Sequence, residues 1–500
     1  MPGQSRYNGA MKRFPTLAIF ALAACVASAQ YHGSKEVPKE FAAGFKAITI
    51  EDAKAWLGYL AGPECEGRGS GQDGFLKAAD FMAAKFKEFG LKPMGDKDSY
   101  FQYVPYGRGT VKSGSIKLGE KEFALDEALS LNGFLESKTM TRKTIVFLAA
   151  KGEAATLDTY NLKDQVVVAN LEGVSREFRR ALNASGAAMI ILVTDTISSN
   201  HSTQVFGALP TPSGRITADL AKTMATAAGV AMPVLEDGKV NALIGLENAT
   251  ITVDVETERK DMPNVVGLLE GSDKTLKAEY IGIGAHLDHL GKRGDVIYYG
   301  ADDDGSGSTA LLGVMKAMHV NKLKPKRSIL FMAFTGEESG LIGSGYLANN
   351  PPVPLDKMIC ELQMDMVGRN SEGIQNGDAK RNDNVAENVE TIRLVGSKRI
   401  STGLDALIQD TNSQFMNFKF KYDAEDVYTR SDHYNFAAKG VPIAFLFDGF
   451  HPDYHRPTDT VDKINFDKLT NAAKLYYLVA LKAANQPAPF VKDVAQSAGK

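Results

Sequence analysis

The chain has 500 residues, 44% apolar and 23% charged, with a formal net charge of −3. That length exceeds one ordinary core, so two domains are expected, and the composition is that of a soluble globular protein. The small charge gives no electrostatic case for nucleic acid or an acidic membrane surface. Internal repeats, heptads and long low-complexity tracts are absent.

The first 29 residues read as a signal-peptide region. Lys12-Arg13 precedes a short apolar run from Leu17 to Val26, the pattern of a secretory h-region. Met11 is an alternative start. Two processing readings compete. Ala27-Ser28-Ala29 is a small-residue cleavage site, whereas Leu22-Ala23-Ala24-Cys25 reads as a lipobox that would leave a lipid anchor on Cys25. Both predict export, to the periplasm or the cell exterior. Beyond this leader no run reaches the ~18 apolar residues of a transmembrane helix. Cys65 and Cys360 are too few for a disulfide framework, and Cys360, in an apolar run, reads as a buried thiol.

Residues 36–48 read as an extended lead-in, after which Thr49 or Glu51 opens a short helix. A second helix is marked by Phe75, Ala79, Met82, Phe86 and Phe89, and Gly90 stops it. Residues 36–110 are thus the first part of one domain. From 111 to 258 short Val/Ile-rich runs dominate, such as Thr144 to Leu148 and Gln165 to Val168. One helix near Arg176–Ser185 leads into Met189 to Val193. This stretch reads as an inserted β-rich domain. Residues 259–490 alternate strand and helix. Strands are expected at Ile281–Gly284, Ile329–Phe334, Ile359–Met366 and Ile443–Phe447, and a helix at Ser306–Val320. Near-continuous apolar strands between helices predict an α/β fold, a mixed and largely parallel sheet covered on both faces.

Polar residues of metal-ligating type sit where these strands end. They are His286, Asp303, Glu337-Glu338, Asp365 and His455. Open α/β sheets bind ligands at the carboxyl ends of their strands. In His286-Leu287-Asp288 the imidazole would hold a metal and Asp288 would accept its other N–H, fixing the tautomer. Asp302-Asp303-Asp304 crowds three acids whose repulsion a cation removes. The alternative is a solvated turn with Asp304 or Ser306 capping the next helix. Of Glu337 and Glu338, one can bind metal while the other acts as general base. Asp365 lies in an apolar strand and requires a metal or a cation. Tyr454-His455 to Asp459 repeats the histidine–carboxylate arrangement. The set suits two zinc ions sharing a bridging carboxylate, in a metal-dependent hydrolase. Ser431-Asp432-His433 lacks a nucleophile elbow and reads as lining the pocket rather than as a serine triad. Gly282-Ile283-Gly284 lacks the rest of a dinucleotide fingerprint.

These residues resemble the exported di-zinc aminopeptidases of metallopeptidase family M28. The segments that carry the likeness are Asn264 to Gly267, Gly284 to Gly291, Gly300 to Gly307, Gly336 to Leu341, Gln363 to Met366, Ser431 to His433 and Tyr454-His455. Cys65-Glu66-Gly67-Arg68-Gly69 resembles the family's N-terminal part, and 137–257 is similar, more loosely, to a protease-associated domain. The resemblance implies a peptide substrate and Zn2+, two per chain. His286 and Asp365 would hold one ion, Glu338 and His455 the other, and Asp303 would bridge them ahead of a cis Asp303–Asp304 peptide. Glu337 would be the general base. Rival readings are a one-zinc glutaminyl cyclase, a carboxypeptidase or dipeptidase of the same family, and a binding module without chemistry. The sequence is silent on side-chain preference and oligomeric state.

Overall fold

A computed structural model describes residues 30–494 except 127, 158, 198–201, 207–210, 371–384 and 386–387. The leader, with its cleavage and lipobox readings, lies outside the described residues. Two strands show why the central sheet forms. Ser328–Phe334 and Met358–Met364 are buried at every position, so both of their faces need cover. Side chains alternate across a strand. Ile329, Phe331 and Ala333 therefore join the core on one face, and Leu330, Met332 and Phe334 the core on the other.

Among the described residues this sheet has nine strands. Its order is Lys92–Pro93, Met262–Leu269, Ser328–Phe334, Tyr280–His286, Met358–Met364, Ile443–Phe447, Thr391–Val395 and Lys419–Lys421, with Phe101–Val104 also pairing to Met262–Leu269. The four central strands, Ser328–Phe334 to Ile443–Phe447, run parallel. The flanking strands Met262–Leu269 and Thr391–Val395 are antiparallel to their inner neighbours. Gly305–Val320 and Phe466–Asn485 are the buried helices of one face. Ile342–Asn349 and His433–Ala437 cover the other through Leu347, Phe436 and Ala437. The mixed, helix-covered α/β sheet is as expected.

The helix capped by Thr49 spans Ile50–Leu60, and Asp73–Glu88 is the helix ended by Gly90, whose φ is +73°. The lead-in is not extended. Lys39–Ala47 is helical. Phe45 and Ile48 are buried in the core, with Phe41 packed against it. That i, i+4, i+7 stripe is a helical period, hidden in the sequence by its shortness.

The chain leaves the central sheet after Phe101–Val104 and re-enters at Met262–Leu269, with Met262 paired to Val104. Between these neighbours, Tyr106–Leu118 and Ala249–Arg259 form an antiparallel stem, with a register shift at Asp254/Val255. The stem belongs to a five-stranded sheet, and a six-stranded one stands beside it in sequence. Both have cores made of residues between Val111 and Val253. The stem starts earlier than the expected residue 111. Arg176–Asn183 is the expected helix, and Ala218–Ala227 is an additional one.

Candidate metal centre

Parallel pairing aligns the strand ends. His286 is the last residue of its strand and lies opposite Phe334, so Thr335 to Glu338 emerge beside it. Asp365 follows Met364 on the other side. Asp303 arrives from the turn before helix Gly305–Val320. Gly300 makes that turn at φ +58°, and a Cβ there would lie 2.3 Å from the Asp303 carbonyl oxygen and 2.4 Å from His289 Cγ. The Asp303–Asp304 peptide is cis. Asp304 caps the helix by accepting Gly307 N–H at 2.8 Å, and also accepts the His286 and Met366 N–H groups. One carboxylate therefore ties three of the converging segments together.

All five expected ligands meet. His286 Nε2 stands 3.3 Å from Asp303 Oδ1 and 3.4 Å from Asp365 Oδ1. His455 Nε2 stands 3.1 Å from Asp303 Oδ2 and 3.1 Å from Glu338 Oε2. The two oxygens of Asp303 thus face opposite halves, the disposition a bridging carboxylate needs. Two groups have ligand atoms within 4.8 Å of one another: His286, Asp303 and Asp365, and His289, Asp303 and Glu338. His289 was not among the sequence candidates. Its Nδ1 lies 2.8 Å from Glu338 Oε1.

The donor set fits cations. Asp303 Oδ2, Glu338 Oε1 and both ring nitrogens of His289 are buried without a hydrogen-bond partner, a costly state that a bound cation relieves. Burial opposes charge on His455, but the Asp303 and Glu338 carboxylates push its pKa up to about 10. Burial likewise opposes charge on His286, and Asp365 with the neighbouring acids holds its pKa well above the usual value. The centre recruits positive charge. Burial pushes the Glu337 carboxyl up, with the neighbouring acids Glu338, Asp365 and Asp432 adding to it.

The surroundings correct two readings. His286 Nδ1 meets the backbone carbonyl of Asp288 at 3.0 Å, while the Asp288 carboxylate is 3.9 Å away. That carboxylate instead accepts the Ser70 hydroxyl at 2.9 Å and the Glu337 N–H at 3.1 Å. Asp288 therefore positions the general-base candidate, and the main chain fixes the His286 ring. Asp459, expected to partner His455, accepts the Asp302 and Asp303 N–H groups. His433 bonds to the Tyr428 carbonyl and stacks on Phe445, and burial pushes its pKa down to about 3. Ser431 is a hydrogen-bond partner of Gln363. The Ser431-Asp432-His433 run is not a triad.

Arg68, Ser70 and His289 were not legible as site residues. Fully buried Arg68 donates to the carbonyls of Leu287, Leu60, Tyr299 and Gly300 at 2.7–2.9 Å, so it clamps the His286 loop to the Asp303 turn. A cleft opens over the centre. Asp303, Glu337 and Asp365 form its floor, and Val427, Phe445, Phe447, Phe450 and Tyr454 its apolar wall, with Arg430 at the rim. The Tyr454 ring stacks on His455 at 3.8 Å.

Fold and ligands define a two-lobed carboxylate–imidazole metal centre on the carboxyl edge of an α/β sheet. Residues 264–480 match the model of peptidase family M28, and that segment of the chain belongs to the family. Leucine aminopeptidase 1 of Arthroderma otae is 30% identical over 213 residues, covering 40% of this chain and 52% of that protein. A probable leucine aminopeptidase of the same organism is 26% identical over 247 residues, covering 47% and 62%. The chain thus spans about half the length of the curated relatives it matches. The solved aminopeptidase from Aneurinibacillus sp. strain AM-1 has the same fold, with a TM-score of 0.53 at 21% identity, covering 91% of this chain and 98% of that one.

Proposed function

We propose that the protein is an exported zinc-dependent aminopeptidase that removes N-terminal residues from peptides. The observation that carries the reading is Asp303 facing both imidazole–carboxylate halves while Glu337 opens on the cleft beside them. Two zinc ions suit the centre, one held by His286, Asp365 and Asp303, the other by Glu338, His455 and Asp303. Bound there, zinc supplies Lewis acidity for a scissile carbonyl and acidifies water.

The chain's own groups do the rest. Glu337 takes the proton of the attacking water and returns it to the leaving amine, which departs poorly unless protonated. Asp288 holds the Glu337 backbone in place. Three carboxylates on the cleft floor favour a protonated α-amine over a carboxylate terminus. The aromatic wall accepts an apolar side chain, in keeping with the names of the leucine aminopeptidase relatives. Export is read from residues 1–29. No helix among the described residues is long and apolar enough to cross a membrane. The 111–258 unit is proposed to be a protease-associated-like insert.

The test is zinc content together with hydrolysis of aminoacyl-nitroanilides and N-blocked peptides, before and after chelation. Two zincs and chelator-sensitive cleavage of unblocked substrates alone are expected. One zinc with cyclisation of N-terminal glutamine would favour a cyclase instead. Glu337→Ala should keep its zinc and lose roughly 100- to 10,000-fold in kcat, the scale of general acid–base catalysis. Full activity in that variant contradicts the role given to Glu337.

A further inference from the structure

The two halves of the centre are unequal. The half built on His286 and Asp365 has three protein groups, counting Asp303, and two of them, Asp303 and Asp365, border the cleft. The other half has Glu338, His455 and Asp303, and beside them His289. This second imidazole is 2% exposed. Its Nδ1 lies 2.8 Å from Glu338 Oε1 and 3.7 Å from Asp303 Oδ2. All three of these atoms are buried and lack a hydrogen-bond partner. Three unpaired ligand atoms facing one another in a dry site call for a cation. The ring is held there by design of the backbone. The His289 N–H donates to the Arg68 carbonyl at 3.1 Å, and the missing Cβ of Gly300 leaves room against His289 Cγ.

We propose that His289 is a direct ligand of the second metal ion, giving that half four protein ligands and the first half three. Four-ligand closed sites hold zinc structurally, while three-ligand sites keep a position open for water or substrate. The two ions therefore differ in role. The ion of His289, Glu338, His455 and Asp303 is the tightly held one, and the ion of His286, Asp365 and Asp303 is exchangeable and borders the substrate cleft. This inference rests on the metal-hydrolase reading of the site.

The test uses full-length protein and zinc alone. Competitive chelator titration of the wild type should resolve a tight and a weak site. Zinc-edge X-ray absorption of the two-zinc form should count three imidazoles shared between the two ions. His289→Ala should weaken the tight site by roughly 100-fold or more, beyond the 10- to 100-fold of an outer partner, while the weak site keeps its affinity. Added free imidazole should restore the loss. Two imidazoles for two ions in the wild type, or two undisturbed sites in His289→Ala, would overturn the inference and leave the hydrolase reading intact. The absorption measurement needs no variant, so misfolding of His289→Ala does not block it. A wild type that binds no zinc would defeat both.

Discussion

Arg68 offers the sharpest test of how the centre is held together. Its guanidinium is fully buried and donates four hydrogen bonds, to the carbonyls of Leu60, Leu287, Tyr299 and Gly300. Arg68→Met preserves most of the volume and removes every donor. Each buried carbonyl left unpaired costs about 1–3 kcal/mol, so the gross loss is on the order of 4–12 kcal/mol. Against it stands the burial of a charge, whose removal returns several kcal/mol. The net loss is about 3–5 kcal/mol, the range seen when one partner of a buried charged cluster is deleted. That is a large fraction of a typical 5–15 kcal/mol stability, marked here by "about" because the terms oppose each other. Arg68→Lys keeps the charge but not the planar fork, and its loss should be intermediate. Since the clamp joins the Asp303 turn to the His286 loop, zinc affinity should fall along with stability. Urea unfolding of the chelated proteins and zinc titration of the folded ones measure the two effects. An Arg68→Met protein with unchanged unfolding midpoint and zinc affinity would refute the clamp.

Two further outcomes are expected. Asp288→Asn should retain zinc but lose about 10- to 100-fold in kcat, because its carboxylate holds Ser70 and the Glu337 N–H rather than a metal ligand's ring; loss of zinc in place of kcat would contradict this. Lys474, 3% exposed, lies 5.4 Å over the Phe45 ring, and burial lowers its pKa from 10.5 to about 8. Between those values the unfolded chain binds the extra proton, so this lysine makes stability rise with pH from about 8 to 10.5, by roughly 3 kcal/mol in all. Below pH 8 the folded protein carries the buried charge at full cost. Lys474→Met should therefore be the more stable protein at pH 7, by roughly 1–3 kcal/mol after loss of the cation–π contact, with the advantage fading as pH rises. Equal unfolding midpoints at pH 7 would show that the ammonium is adequately solvated.

Strand ends and ligand types are local properties, and the sequence alone determined them. An apolar run such as Ile329 to Phe334 must be buried on both faces, so the acids that follow it, Glu337 and Glu338, necessarily emerge at the sheet edge. The same reasoning located His286, Asp365 and His455, and the crowding of Asp302 to Asp304 marked Asp303. The helix Lys39–Ala47 escaped because its apolar stripe is three residues long and becomes decisive only once Phe45 and Ile48 have a core to enter. The partners of the site were decided by tertiary structure. Asp288 sits two residues from His286, yet its carboxylate turns to Ser70 and Glu337, which lie 218 and 49 positions away in the chain. Arg68 looks like any loop arginine until four carbonyls from distant segments close around it. His289 becomes a ligand candidate only because Gly300 leaves space for its ring and Glu338 stands opposite. Local pattern fixes which residues reach the edge of a sheet, whereas the direction a side chain takes there is set by neighbours that the folded chain alone brings within hydrogen-bond distance.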